Sequence, residues 1–252
     1  MGDLLVLCYH SVSETWPAPT SVKPGDLEQQ LSAFVRRGYR GATFSDALTV
    51  PPAEKTVVVT FDDAHRSVLE VAAPILERLG VPATVFVPTD YPDSGRPMAW
   101  EGYDPWLGTE WERELDCLGW EELRGLAGKG WEIGSHTKSH PRLPRLDEAG
   151  IDAELDESRR ICEENMGVPC TSIAYPYGDY DDRVLRAAGK AGYRFGATIP
   201  RQAEAPLPLG WPRVGVYFGD RAERLMLRAW TRRLGPAGAV TAALKLKGLR
   251  GR

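Results

Sequence analysis

The chain has 252 residues, 42% of them apolar and 26% charged, with a formal net charge of −4; this is the make-up of an ordinary globular domain of α/β-barrel size and excludes disordered, collagen-like and disulfide-stapled classes. No run approaches the roughly 18–20 continuous apolar residues of a membrane span, and the opening Met1-Gly2-Asp3 lacks the basic start of an export signal. Charge is unevenly spread: from Arg221 onward there are nine Lys/Arg and one acid, a net of +8 that leaves −12 on residues 1–220, which predicts a barrel domain over 1–220 and a basic helical tail over 221–252.

In chain order, the apolar run Leu4–Tyr9 predicts a first strand. Asp26–Arg37 carries Leu27, Leu31, Phe34 and Val35 at helical spacing, with Asp26 as the N-cap. Strands follow at Thr56–Phe61 and Ala83–Val87, separated by a helix over Val68–Leu79 that stops at Gly80. Glu121–Leu126 is helical, Trp131–Gly134 a strand, and Asp147–Met166 a longer helix stopped at Gly167. The strand Ser172–Tyr175, a helix over Asp181–Ala191 stopped at Gly192, and the strands Arg194–Ala197 and Arg213–Val216 complete the pattern. Strand–helix alternation implies parallel strands with right-handed crossovers, and seven such strands suit an incomplete or distorted barrel. The four cysteines, Cys8, Cys117, Cys162 and Cys170, match no zinc or redox spacing. They are read as reduced thiols, and the compartment as cytoplasmic.

Barrel function sits on the loops after the strands. Tyr9-His10, Asp62-Asp63, Ser135-His136 and Pro176-Tyr177-Gly178 all follow predicted strands and therefore face one mouth. Of the four histidines, His136 and His140 stand four apart, a spacing that lets both imidazoles meet one ion on a helical turn or a tight loop. Two histidines and a carboxylate hold a divalent ion while leaving positions open for water and substrate. The carboxylate is expected from Asp62-Asp63, one binding the ion and the other left free as a base. Either pair alone is weak evidence, since loop histidines and helix-capping aspartates are common; their joint placement after different parallel strands is much less so.

These residues resemble the motifs of the polysaccharide deacetylases, the nodulation-type deacetylase domain of carbohydrate esterase family 4. Thr60-Phe61-Asp62-Asp63-Ala64 resembles the first motif, Thr-Phe-Asp-Asp-Gly; Ser135-His136-Thr137-Lys138-Ser139-His140 the second; and Ala174-Tyr175-Pro176-Tyr177-Gly178 the third. The resemblance runs from the first strand to about Val216. It implies a distorted seven-stranded (β/α) barrel of parallel strands and hydrolysis of N-acetyl groups on amino sugars. It also implies Asp62 as general base, Asp63, His136 and His140 as ligands to a divalent metal with zinc the default, and the Tyr177 N–H as an oxyanion donor. Two family features have no match. The arginine of the third motif is missing, and Arg213 is the candidate to brace Asp62 in its place, weighed against a plain surface arginine. The late Leu-x-His motif is absent, since no histidine follows His140. His10 is the candidate acid because the first strand neighbours the second in the fold the resemblance implies; its segment, Tyr9-His10-Ser11-Val12, resembles a bacterial subgroup acting on poly-N-acetylglucosamine, and the competing role is a rim hydrogen bond.

Residues 89–120 gather Tyr91, Trp100, Tyr103, Trp106, Trp111 and Trp120. Most are expected to pack this segment onto the barrel, with Trp100 and Trp120 reaching the ligand. Tyr175 is assigned to substrate binding as well, and His65 to a rim position from which it could stack on substrate. In the tail, Leu225, Leu227, Trp230 and Leu234 lie beside five arginines. This suits a helix closing the barrel base, or a basic amphipathic helix in peripheral contact with the inner face of a membrane; no motif supports nucleic acid. The expected activity is that of a hydrolase of carbon–nitrogen bonds other than peptide bonds, acting on a free, lipid-linked or polymeric N-acetylated sugar. The alternatives are a small-molecule amidohydrolase opening a cyclic amide and a catalytically impaired carbohydrate-binding protein. Oligomeric state is not legible.

Overall fold

The structure, a computed structural model, describes residues 3–50, 54–200 and 206–233, with side chains as far as Arg228. In chain order its elements are β1 (Leu4–Tyr9), β2 (Ser11–Val12), β3 (Ser21–Val22), α1 (Pro24–Val35), β4 (Arg40–Ala42), α2 (Phe44–Thr49) and β5 (Thr56–Phe61). A π turn, Val68–Ala72, then leads into α3 (Ala73–Leu79) and β6 (Ala83–Val87). After these come α4 (Trp120–Gly128), β7 (Glu132–Ser135), α5 (Glu148–Met166), β8 (Ser172–Ala174), α6 (Asp182–Ala191), β9 (Phe195–Thr198), β10 (Trp211–Pro212), β11 (Val214–Gly215) and α7 (Ala222–Arg233).

The main sheet is parallel throughout and runs β10-β9-β8-β7-β6-β5-β1-β11, with β4 pairing the first half of β5. It holds nine strands where seven were expected, for two reasons. Arg40–Ala42 is too short and too polar to show a strand pattern. The seventh predicted strand is split: Trp211 and Pro212 pair with β9, Val214 and Gly215 pair with β1, and Arg213 lies between them. That split segment joins the last strand to the first and completes a distorted (β/α) barrel.

Side chains alternate across each strand, which sorts the residues into two cores. Leu5, Leu7 and Tyr9 of β1, and Val57, Val59 and Phe61 of β5, face outward into the main core against the helices. Val6, Val58, Phe86, Ala174 and Ala197 point inward and fill the barrel floor, where α2 inserts Phe44 and Ala47. One step up each strand, Cys8 and Thr60 stand in register above Val6 and Val58. One step further are His10 and Asp62, at the mouth. The period-2 pattern of the chain therefore delivers these polar residues to the top of an apolar plug.

The helix ends follow the chemistry of their caps. Asp147 and Asp181 accept hydrogen bonds from the first turns of α5 and α6, and Gly80, Gly167 and Gly192 end their helices in left-handed conformation. Asp26 is not an N-cap: α1 begins two residues earlier at Pro24, whose fixed φ suits a first helical position. α7 packs against α1 in the outer ring with Leu225 buried, and α2 fills the barrel floor. Leu227 is exposed. The side chain of Trp230, and Leu234 with the rest of the basic tail, lie outside the described residues. No helix among the described residues is long and apolar enough to cross a membrane.

Candidate active site

Among the described residues six that are not glycine have positive φ, and five of them stand where strands open into the mouth: Asp63 (70°) and Ala64 (55°) after β5, Thr137 (66°) and His140 (64°) after β7, and Tyr177 (60°) after β8. Left-handed conformation disfavours L-residues by roughly 1–2 kcal/mol each, and such strain concentrates where a site over-determines the backbone. Ala64, where the first motif of the resemblance has glycine, is one of these strained positions. Its alanine occupies the conformation that glycine adopts freely.

Asp62 extends β5 inward and is 2% exposed. Arg213, fully buried, donates from both terminal nitrogens to its two carboxylate oxygens, at 2.6 and 2.7 Å, and also to Thr60 Oγ1 at 2.9 Å. The Cys8 thiol donates to Asp62 Oδ2 at 3.3 Å. Burial opposes ionisation of Asp62, but the Arg213 charge, His136 and the hydrogen bonds outweigh it and hold the carboxyl down to about 2. Arg213 therefore stands where the third motif's arginine is missing, reaching Asp62 from a different strand.

Asp63 turns away from Asp62. Its Oδ1 lies 3.4 Å from His136 Nε2 and 3.4 Å from His140 Nε2, and these three ligating atoms lie within 4.8 Å of one another. His136 donates its Nδ1 proton to the Ala174 carbonyl at 2.8 Å, which leaves Nε2 as the free electron pair aimed at Asp63. Burial lowers the His140 pKa to about 3 against the opposing charge of Asp63, so this ring is neutral and able to act as a ligand. Asp63 Oδ1 is buried with no hydrogen-bond partner among the described residues. A buried carboxylate oxygen left open beside two imidazole nitrogens fits a divalent cation. Ligand atoms about 2.0–2.1 Å from one tetrahedral ion stand roughly 3.4 Å apart, which matches the two Asp63–histidine separations.

The ligand loop is a tight loop and not a helical turn. Ser135 Oγ accepts from Thr137 N, and Thr137 Oγ1 accepts from His140 N. Glu154 of α5 accepts from the backbone N–H groups of Lys138 and Ser139 and from the Ser139 hydroxyl. The His140 ring lies between two aromatics: Trp100 stacks on it at 3.9 Å and 19°, and Tyr177 meets it edge-on at 4.8 Å. Arg142 covers the outer face of Tyr177 at 3.7 Å and pairs with Glu101 and Asp179.

Three residues assigned to substrate are placed elsewhere. Trp120 is buried in the main core with Leu118, Leu123 and Leu126, because it opens α4 with its ring on the barrel side. Tyr175 is fully buried and donates its hydroxyl to the Leu209 carbonyl. His65 is not on the rim: it is fully buried, with Nδ1 2.8 Å from the Glu114 carbonyl and Nε2 2.7 Å from the Tyr103 hydroxyl. His10 stands near Asp62, within 4.8 Å through their ligating atoms. Its Nδ1 is buried without a hydrogen-bond partner among the described residues, and burial lowers its pKa against the pull of Asp63 and Asp62.

The residues that sequence reasoning missed act through tertiary contact. Tyr103 donates to Asp63 Oδ2 at 2.7 Å. Trp16, from the loop after β2, is buried against His65, Tyr103 and Trp106. Only the aromatic density of 89–120 hinted at the first, and nothing hinted at Glu154.

Residues 49–196 match the model of the polysaccharide deacetylase family. A Bacillus subtilis (strain 168) protein named for polysaccharide deacetylation, YxkH, is 28% identical over 202 residues, covering 78% of this chain and 64% of its own length. The chain thus spans less than two thirds of that relative. The poly-beta-1,6-N-acetyl-D-glucosamine N-deacetylase of Staphylococcus aureus (strain N315) is 26% identical over 223 residues, 83% of this chain and 72% of that one. Among solved structures, the Streptococcus pyogenes deacetylase PplD superposes with a TM-score of 0.74 at 24% identity, covering 88% of this chain and 96% of that one. IcaB from Ammonifex degensii does so with 0.69 at 23%, covering 90% and 97%. At these identities the structural likeness concerns the fold.

Proposed function

The chain belongs to the polysaccharide deacetylase family, and from that membership we propose that it is a metal-dependent hydrolase removing the N-acetyl group of an amino sugar. The observation that carries the reading is the open Oδ1 of Asp63, facing His136 and His140 beside an Asp62 that Arg213 keeps ionised. Asp63, His136 and His140 would hold the cation, and the donor set of one carboxylate oxygen and two imidazoles suits zinc among the divalent metals. When bound, such an ion polarises the acetyl carbonyl and acidifies water.

The chain's own groups do the rest. Asp62 is an ionised carboxylate fixed in orientation by a guanidinium fork, so it can accept the proton of an attacking water without first reorganising. The leaving amine needs a proton back. Asp62 and His10 are the groups positioned to return it, and the depressed pKa of His10 makes it a relay more than a store of protons at neutral pH. The turn at Tyr177 is read as presenting its N–H to the oxyanion. Trp100, stacked on His140, and Tyr103, bonded to Asp63, are aromatic residues of the 89–120 segment held against the ligand set. Of the two departures that favour a catalytically impaired reading, the missing arginine and the missing Leu-x-His motif, the Arg213–Asp62 pair speaks against the first.

The reading is tested by acetate release from N-acetylglucosamine oligomers and from lipid- and nucleotide-linked acetamido sugars, with and without chelator. Chelator-sensitive release names the substrate class. Stoichiometric metal with no release from any of them would favour an amidohydrolase of small molecules.

A further inference from the structure

The segment between β6 and α4 is more than a cover. It places Trp100 on His140 and Tyr103 on Asp63, so it touches two of the three residues read as metal ligands. Tyr103 stands out because its contact is polar and buried. The ring is 5% exposed and packed against Trp16, Trp100 and His65. The hydroxyl, 2.7 Å from Asp63 Oδ2, also meets His65 Nε2 at 2.7 Å, and the far nitrogen of that imidazole is fixed on the Glu114 carbonyl. Glu114 and Tyr103 belong to the same segment, which is sewn to the end of the first motif by the hydrogen bond from Leu118 N to the Ala64 carbonyl.

The two oxygens of Asp63 are therefore unequal: Oδ2 is occupied by Tyr103, and Oδ1, between two histidines, has no hydrogen-bond partner among the described residues. A carboxylate is free to turn about its terminal bond, a broad torsion with little intrinsic preference. Without the hydroxyl, nothing among the described contacts of Oδ2 at hydrogen-bond distance would hold that assignment. His65 lies 3.8 Å away.

We propose that Tyr103 is the positioning residue for Asp63: its hydroxyl takes one carboxylate oxygen and so fixes the other as a metal ligand. This rests on the metal-site reading above. Partners one bond removed from a metal set ligand orientation, and their loss typically weakens metal binding by about 10–100-fold.

The test is zinc affinity by competition with a chromogenic chelator, for wild type, Tyr103→Phe, and Trp106→Phe as a control in the same aromatic layer, with thermal unfolding of each metal-free protein alongside. Tyr103→Phe keeps the ring and its packing. The proposal expects it to bind zinc 10–100-fold more weakly while Trp106→Phe binds as wild type. Equal affinity for Tyr103→Phe and wild type would overturn it, as would equal weakening in both variants, which would assign the effect to packing. Failure of wild type itself to bind zinc in a manner sensitive to His136→Ala would instead overturn the metal-site reading on which the proposal rests.

Discussion

The Arg213 guanidinium grips both carboxylate oxygens of Asp62 from the point where the closing strand changes neighbour, between Pro212 on β9 and Val214 on β1. Both partners are buried, so the attraction is little screened and the cost of separating them is high. Arg213→Met leaves an unpaired buried carboxylate and is expected to destabilise the fold by about 3–5 kcal/mol. Arg213→Lys keeps the charge but loses the fork, so turnover falls more than stability does. Denaturant midpoints and kcat on the same preparations check both. Unchanged stability in Arg213→Met would contradict the pairing.

Metal binding should appear as stability. An ion at about 1,000 times its Kd that binds only the folded chain adds roughly 4 kcal/mol. Zinc is therefore expected to raise the Tm of wild type and of Asp62→Asn, and to leave that of His136→Ala unmoved. A zinc-dependent rise in His136→Ala would place the ion elsewhere.

The metal-free protein should lose stability in mild acid through His140. Burial holds the folded ring at about 3, against an ordinary value of 6.5. Between those values the unfolded chain binds a proton that the folded chain does not, so stability falls as pH falls, by about 1.4 kcal/mol per unit from this group. Above 6.5 the contribution is fully present. Urea midpoints of wild type between pH 6.5 and 4 should slope more steeply than those of His140→Asn; equal slopes would count against a buried neutral ring.

Trp100 and Trp120 should separate in their effects. Trp120→Ala empties a core position and is expected to lower stability by about 3–5 kcal/mol. Trp100→Ala removes the ring stacked on His140, a contact of about 0.5–1.5 kcal/mol, so kcat/KM falls up to about tenfold with a smaller change in Tm. Thermal unfolding and steady-state kinetics on both variants distinguish the two roles.

The strands Leu4–Tyr9, Thr56–Phe61 and Ala83–Val87 were legible to the residue, because buried parallel strands are unbroken apolar runs. Arg40–Ala42 and the short α2 were not, since neither is long enough to show a period. The aspartate and histidine pairs could be read from spacing and from their place after strands. Arg213 could be named as a brace for Asp62 only because a motif lacked its arginine. Tyr103, Glu154 and the burial of His65 and Tyr175 depend on which loop lies over which, and no local pattern records that. Trp120 was misread because an aromatic after a long insertion looks the same whether its ring turns to the mouth or to the core.

The central claim is that Asp62 moves the proton while Asp63, His136 and His140 hold the ion. The most direct measurement is bound zinc and acetate release on the same sample of Asp62→Asn. The account predicts zinc at wild-type stoichiometry with turnover reduced at least about 100-fold, the lower end of what a positioned base contributes. Wild-type turnover in that variant, or loss of its zinc, would contradict the division of labour between the two aspartates.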